Sequence, residues 1–407
     1  MSRPDIAVTG LGAITPAGTG LDAAWSQVCR GAPTAATDPG LAGLPVDFSC
    51  RIPESDIGAV IGRRKLWRLD RFTQLALFAA DEAVRDAQLD PRTWDGARVG
   101  VVIGCGLGGA RTWEAQHLRL KDQGAESVSP MLIPMLVPNM AAGEISLSLG
   151  ARGPSVVAAT ACASGASALS IAHDWLTGDR CDIVVAGGTE SGSTPLMVTG
   201  FHRAGALSTR SNDPAGASRP FAPDRDGFVM AEAAAILILE RAADARARGV
   251  RPRALLAGTA ASSDAYHPTD PHPQGTGAQT AMVAALADAR FSARDVDHVN
   301  AHATSTLKGD TAEANVISRM FPHRPSVTSN KGALGHSLGA AGALEAALTV
   351  LSIQQSTVPP TANVDAPAPE FDLDVVTKKS RPQRIQAAAS NSFGFGGHNV
   401  VVILTAG

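Results

Sequence analysis

Cys162 joins a β-branched run, Ser155-Val156-Val157-Ala158, to a stretch of small residues from Ala163 to Leu176 that Gly178 closes. This order spells strand, tight elbow and helix, with a thiol at the bend. Such a thiol faces the unpaired N–H groups and the positive end of a helix dipole, which favour thiolate over thiol. Ala161, Ala163, Ser164 and Gly165 are small enough for a substrate carbonyl to come close. A free cysteine is more often an inert core residue, so the reading depends on what else the chain supplies.

Three further constellations supply it, each at a strand end, where open α/β sheets place their ligands. The first is Asn300-Ala301-His302-Ala303-Thr304-Ser305-Thr306, continuing to Asp310 and Glu313. The second runs from Ser329 through Lys331, His336 and Gly342 to Glu345, and the third from Asn391 to Asn399 through Phe393-Gly394-Phe395-Gly396-Gly397-His398. A single histidine is more often structural than catalytic, but two histidines and a lysine on separate glycine-edged loops turn the balance toward catalysis. Other chemistries fit less well. Gly104 to Gly109 has the look of a dinucleotide loop, but no acidic residue ends a partner strand at the proper distance. Gly335-His336-Ser337-Leu338-Gly339 fits a hydrolase elbow, with Asp372 and His398 following in order, yet Asn330 to Leu334 separates Ser337 from its strand. His298 and His302 are spaced along a strand rather than a helix, which is poor for a metal.

Positioning these loops requires alternating strands and helices, the pattern of an α/β fold with mostly parallel strands. Ile6–Thr9 reads as the first strand, followed by a turn at Gly10-Leu11-Gly12. Further strands are expected at 99–103, 182–186, 254–257, 296–300, 326–329 and 399–404. Helices are expected at 18–30, from Asp310, and from Gly339 to Ile353. Arg63, Arg64, Lys65, Arg68 and Arg71 form a basic run at the opening of another helix. The order of elements after residue 253 resembles that before it, which divides the chain into halves 1–253 and 254–407. A chain of 407 residues is long enough for both, and its net charge of −3 argues against nucleic acid or a membrane surface as partner. The five cysteines show no CxxC spacing and suit a reducing compartment. With no leader-like stretch at Met1 and no long apolar run, the expected location is cytoplasmic.

Taken together, Thr160-Ala161-Cys162-Ala163-Ser164-Gly165, Asn300-Ala301-His302 with Thr304-Ser305-Thr306, Lys331 with Gly335-His336, and Asn391 to Gly397 follow the motif order of one family. The sequence resembles the elongating β-ketoacyl-[acyl-carrier-protein] synthases, the thiolase-fold condensing enzymes of fatty acid and type II polyketide synthesis. The resemblance spans Ile6 to Leu404. It implies a duplicated αβαβα layered fold with mixed, mostly parallel sheets. It also implies a decarboxylative Claisen condensation in which Cys162 carries the acyl chain. In that scheme His302 and His336 stabilise the malonyl enolate, and the N–H groups of Cys162 and Phe395 form the oxyanion hole. Lys331, with Glu345, Asp310 and Glu313, supports the histidine loops. The same resemblance gives Thr304 and Thr306 the pantetheine arm. It gives Phe393 and Phe395 a gate that moves with the loop at Asp264-Ala265-Tyr266-His267, and Leu107, Leu132 and Phe201 the acyl tunnel. The basic run docks an acyl carrier protein, no cofactor or metal is required, and the unit is a homodimer or a heterodimer with a chain-length-factor-type subunit. Some positions depart from the pattern: Ala303, Ala231, Ala233 and Ala235 replace usual glycines, Glu144 a usual histidine, and Pro138 breaks a usually proline-free segment. Ala233 and Ala235 favour a type II polyketide or specialised fatty acid ketosynthase over the housekeeping elongation enzyme. A silent chain-length factor, which lacks the cysteine, and a hydrolase using Ser337 are the rival readings.

Overall fold

The computed structural model describes residues 4–407. Five strands of the first half, β1 (Ile6–Thr15), β2 (Val99–Gly104), β3 (Ser155–Ala158), β4 (Ile183–Glu190) and β5 (Ala233–Arg241), lie side by side. They share one sheet with β6 (Ala254–Ser263), β7 (His298–Asn300), β8 (Ser326–Thr328), β9 (Asp374–Val375), β10 (Ala387–Gly394) and β11 (His398–Thr405). The order across the sheet is β9-β8-β7-β10-β11-β6-β1-β5-β4-β2-β3. Leaving aside the two-residue rim strand β9 and numbering the rest within each half, each side reads third, second, fourth, fifth, first from the rim inward, and the two first strands, β1 and β6, pair antiparallel where the halves meet. Parallel pairing, the sequence expectation, holds at the two ends of the sheet, whereas the run β10-β11-β6-β1-β5-β4 is antiparallel.

Strand periodicity sorts the core into layers, because successive side chains point to opposite faces. Val101, Ile103, Ile236 and Ile238 pack on helix α1 (Arg71–Asp86). Val102, Leu237 and Leu239 point the other way, into a central cluster that also takes Val400, Val402 and Leu404 from the second half. That central layer contains helices α2 (Ser164–Thr177) and α5 (Ala341–Gln355). Val401 and Ile403 face a third cluster, with α3 (Thr276–Ala289) and α4 (Leu307–Met320). Helix, sheet, helix pair, sheet and helix make five layers. With both sheet faces covered, the strands carry continuous rather than alternating apolar runs.

Two sequence expectations change for reasons of packing. Gly10 and Gly12 form no turn; β1 runs straight through them with a bulge after Val8. A Cβ at Gly10 would meet the Ala83 carbonyl oxygen at 2.2 Å and one at Gly12 the Ala79 oxygen at 2.1 Å, so these glycines let α1 lie against the strand. Asp86 and Glu82 of α1 then accept from the Leu11 and Ala13 N–H groups. The basic run does not open one helix either. Arg63–Leu66 is a separate turn, and α1 begins at Arg71, where the Asp70 carboxylate accepts from the Phe72 N–H.

The helices that deliver the chemistry, α2 and α5, cross at glycine. A Cβ on Gly165 would lie 2.7 Å from the Ala343 nitrogen, and one on Gly342 2.8 Å from the Ala166 nitrogen. Backbone cannot yield as a flexible side chain can, so Gly165→Ala should cost about 1–3 kcal/mol through overpacking. The expected readout is a lower urea midpoint at unchanged m-value. A midpoint equal to that of the parent would show that the crossing is looser than described.

Candidate active site

Cys162 lies in the 3-10 turn Ala161–Ala163 between β3 and α2, as the elbow pattern predicts. Ala161 adopts φ +50°, and the Ser164 hydroxyl locks the bend by accepting from the Thr160 N–H and donating to the Ala161 carbonyl. The other two chemical loops carry similar strain. Ser305 (φ +73°) follows His302, and Leu338 (φ +46°) follows His336. Left-handed backbone at residues other than glycine concentrates where function requires a fixed loop.

All three loops open onto one cavity of about 330 Å³, whose lining includes Cys162, His302, His336, Thr304, Phe393 and Phe395. The two imidazole rings stand edge to face, 5.4 Å apart, and each is also in edge contact with a phenylalanine, Phe393 for His302 and Phe228 for His336. His302 is 8% exposed and His336 1%. His302 Nδ1 and both ring nitrogens of His336 are buried without a hydrogen-bond partner within the protein. Burial and the Lys331 ammonium hold both imidazoles well below their usual range, so they are neutral at pH 7.

Lys331 is 2% exposed and forms an ion pair with Glu345, itself buried. Glu313 clamps the first histidine loop, accepting from the His302 N–H (2.9 Å), the Ala303 N–H (2.7 Å) and Asn391 Nδ2 (2.9 Å). Asp310 accepts from the Phe221 N–H (2.8 Å) and the Ser305 N–H (3.1 Å), which fixes the strained residue between the two threonines. The Thr304 and Thr306 hydroxyls are 3.1 Å apart on the cavity wall.

The sulfur departs from the sequence reading. Cys162 opens onto the cavity yet is otherwise enclosed, and this burial pushes its thiol up to about 12. The Lys331 ammonium and the Phe395 and Cys162 N–H groups pull in the opposite direction without overcoming it. Desolvation outweighs the helix end, so the resting sulfur keeps its proton. The two N–H groups that meet the sulfur are those named for an oxyanion hole. Gly394 makes their approach possible, since a Cβ there would lie 3.1 Å from the Cys162 nitrogen.

The remaining sequence candidates are dispersed. Phe201 lines the cavity, its ring 6.2 Å from that of Phe395. Leu107 packs into the same apolar cluster as Cys162 and Phe201, whereas Leu132 lies on a short helix, Leu132–Leu136, outside the cavity lining. Arg63, Arg64, Lys65 and Arg68 are exposed, with Arg63 paired to Asp56 and Arg68 over the Trp67 ring. Arg71 turns inward to the buried Glu232 at 3.0 Å. Asp372 lies at the surface beside Arg324, and neither it nor Ser337 nor His398 lines the cavity. His298 is occupied structurally, its Nδ1 3.0 Å from the Ser326 carbonyl.

One residue escapes sequence reasoning. Glu190, at the end of β4, is fully buried and accepts from the Gly106 N–H (2.8 Å), the Leu107 N–H (3.2 Å) and the Gly339 N–H (3.2 Å). It thereby ties the glycine loop after β2 to the loop carrying His336, and burial raises its carboxyl to about 7. The backbone donors that would cradle a dinucleotide phosphate are thus already engaged. The only sequence signal is a charge ending the otherwise apolar run Ile183–Glu190.

A thiol on a strained elbow, two neutral imidazoles and paired N–H donors inside a duplicated five-layer fold define an acyl-transferring condensing enzyme of the thiolase type. The comparisons agree with this class. The β-ketoacyl synthase N-terminal domain matches residues 3–245 and its C-terminal domain residues 253–365. A 3-oxoacyl-[acyl-carrier-protein] synthase 2 of Staphylococcus aureus strain COL is 41% identical over 407 residues, covering 98% of this chain and 97% of the relative. Among solved structures, a type II PKS acyl-carrier protein in complex with its ketosynthase bound to the hexaketide superposes with TM-score 0.91 at 31% identity. The ishigamide ketosynthase/chain length factor does so at 0.94 and 29%, and both cover 100% of each chain. The chain belongs to the β-ketoacyl synthase family.

The buried ammonium generates a prediction. Replacing Lys331 alone would strand Glu345 in the interior at about 3–5 kcal/mol, so the pair is best neutralised together as Lys331→Gln with Glu345→Gln. Removing a positive charge makes each imidazolium less unfavourable, so both histidine pKa values rise. In NMR titrations of the ring Cε1–H signals, His302 and His336 should stay neutral to lower pH in the parent than in the double variant. An unfolded histidine titrates near ~6.5. The neutral imidazoles therefore contribute stability that is complete above that pH and lost as pH falls, and the double variant should lose less on acidification. Identical titrations in both proteins would remove Lys331 as the cause.

Proposed function

We propose that this chain catalyses the decarboxylative Claisen condensation of a Cys162-bound acyl group with malonyl-[acyl carrier protein], giving β-ketoacyl-[acyl carrier protein] and CO2. The observation that carries the reading is Cys162 sharing one buried cavity with two neutral imidazoles backed by Lys331–Glu345. Because the resting thiol is protonated, attack on the incoming thioester is coupled to proton transfer onto an imidazole, and the departing pantetheine thiolate takes that proton. The Cys162 and Phe395 N–H groups receive the tetrahedral oxyanion. In the second half-reaction, CO2 leaves the malonyl group while His302 and His336 N–H groups hold the enolate oxygen. A neutral donor is suited to this, since it stabilises the enolate without handing the carbanion a proton. The carbanion then attacks the acyl carbonyl, and Cys162 leaves and is reprotonated. Acyl groups arrive on phosphopantetheine, so no resident cofactor or metal takes part.

The carrier protein docks on the exposed Arg63, Arg64, Lys65 and Arg68, with Arg71 serving the interior, and Thr304 and Thr306 take the arm. Phe201 bounds the acyl chain with Leu107 packed in the cluster behind it, Leu132 lies outside this cavity, and Phe393 and Phe395 gate it. The exposed Ile133 (61%), Leu147 (75%) and Val156 on the rim strand β3 suit cover by a second copy or a homologous chain-length-factor-type subunit. No helix among the described residues is long and apolar enough to cross a membrane. A cytoplasmic setting suits the five free cysteines. Ala233 and Ala235, and the structural neighbours from polyketide systems, support a type II polyketide or specialised fatty acid pathway. The 41% identity to a 3-oxoacyl-[acyl-carrier-protein] synthase 2 supports housekeeping elongation as the second reading.

Cys162→Ala should abolish condensation, Cys162→Gln should retain malonyl decarboxylation, and Ser337→Ala should retain condensation, each read by mass spectrometry of the carrier-bound product. Loss of activity in Ser337→Ala with survival in Cys162→Ala would reverse the assignment. A folded Cys162→Gln without decarboxylation would remove the histidines from the enolate step.

A further inference from the structure

The cavity wall carries Asp226, Asp264 and Asp270, of which Asp226 pairs with Arg210 behind the lining (3.5 Å), and Lys308 is the only lysine or arginine among the lining residues. Lys308 is the second residue of the fourteen-residue helix α4, so its charge adds to the positive end of that helix. Its ammonium lies 2.5 Å from Asp270 Oδ2, and both groups reach solvent.

Asp270 belongs to the loop that straps the gate. The Gly396 N–H donates to the Pro268 carbonyl (2.7 Å), the Asp264 N–H to the Gly397 carbonyl (2.8 Å), and Asn399 Nδ2 to the Asp264 carboxylate (2.8 Å). Asp264 also accepts from the His272 N–H at 3.0 Å, which closes the loop on itself. The Lys308–Asp270 pair thus ties helix α4 to this loop, and through it to the turn that holds Phe395 against Phe201 beside the thiol.

Resting on the condensing reading above, we propose that Lys308 is the phosphate receptor of the site and the latch of its gate. A phosphopantetheine arm brings a phosphate along a wall where one cation is available. The ammonium exchanges Asp270 for the phosphate, the loop loses its tie to the first turn of α4 while Arg319 still holds the Gln274 carbonyl (2.6 Å), and the turn bearing Phe395 is released. Acyl transfer to Cys162 is then selective for thioesters that carry the phosphate, and the selectivity lies in this chain rather than in carrier docking.

Two small probes that differ only in the phosphate, hexanoyl phosphopantetheine and hexanoyl pantetheine, test this without any carrier protein. Acylation of Cys162 is followed by intact mass. The parent should favour the phosphorylated ester by about tenfold. Lys308→Ala should bring the ratio within about twofold, and Lys308→Arg should keep it. Asp270→Asn, which undoes the latch, should raise the rate with hexanoyl pantetheine severalfold. A parent ratio near one, a ratio unchanged in Lys308→Ala, or an effect of Lys308→Ala confined to carrier-bound esters would overturn the inference and leave the condensing reading standing. No acylation of the parent by either ester would bring down both.

Discussion

Burial sets the electrical state of the chamber, and one buried ammonium adjusts it. Lys331 disfavours protonation of His302 and His336 and partly relieves the unfavourable charging of Cys162, so a single group biases the nucleophile and both imidazoles toward their working forms. The cost of burying it is met by Glu345 on α5, which does not line the cavity. This separation matters because a carboxylate adjacent to the imidazoles would attract protons to them. Glu313, which is close to His302 in space, spends its oxygens on backbone and amide donors instead.

Burial thus acts in opposite ways on the two partners of the reaction. It keeps the imidazoles as neutral donors, which enolate stabilisation requires, and it keeps the thiol protonated, which nucleophilic attack opposes. The structure resolves this by placing the paired N–H donors and the ammonium near the sulfur, so that charge developing during attack is received where it forms. The three loops are held in strained conformations at Ala161, Ser305 and Leu338 by the structure around them, including the Ser164 and Asp310 hydrogen bonds and the dense packing of α2 against α5.

Cys162, the two histidines and the lysine pair were legible in the sequence because each stands in or beside a run of small residues at a strand end. Helix α2 and its closing Gly178 followed from composition alone. The length of β1 was not legible, because glycine that permits close helix contact has the same letter as glycine that turns the chain. The basic run misled in the same manner: Arg71 is indistinguishable from its neighbours until Glu232, distant in sequence, is placed beside it. Glu190 was invisible for the converse reason. Its role is defined by N–H groups from loops 84 and 149 residues away, and no local pattern records them. The state of the sulfur was misjudged because a helix end is visible in sequence and the extent of desolvation is not.

The repeated strand order has a final implication. With the rim strand β9 set aside, Cys162 follows the third strand of its half and His336 the third strand of the other; His302 and the Gly106 loop follow the two second strands, and Phe395 and Glu190 stand at the ends of the two fourth strands. A frame with rotational pseudosymmetry has been desymmetrised at every equivalent point. At the fourth position one side was frozen by a carboxylate that grips three amides, while the other kept an aromatic ring on glycines. That difference puts one fourth strand at the cavity wall, through Phe395, and leaves the other, ended by Glu190, outside it.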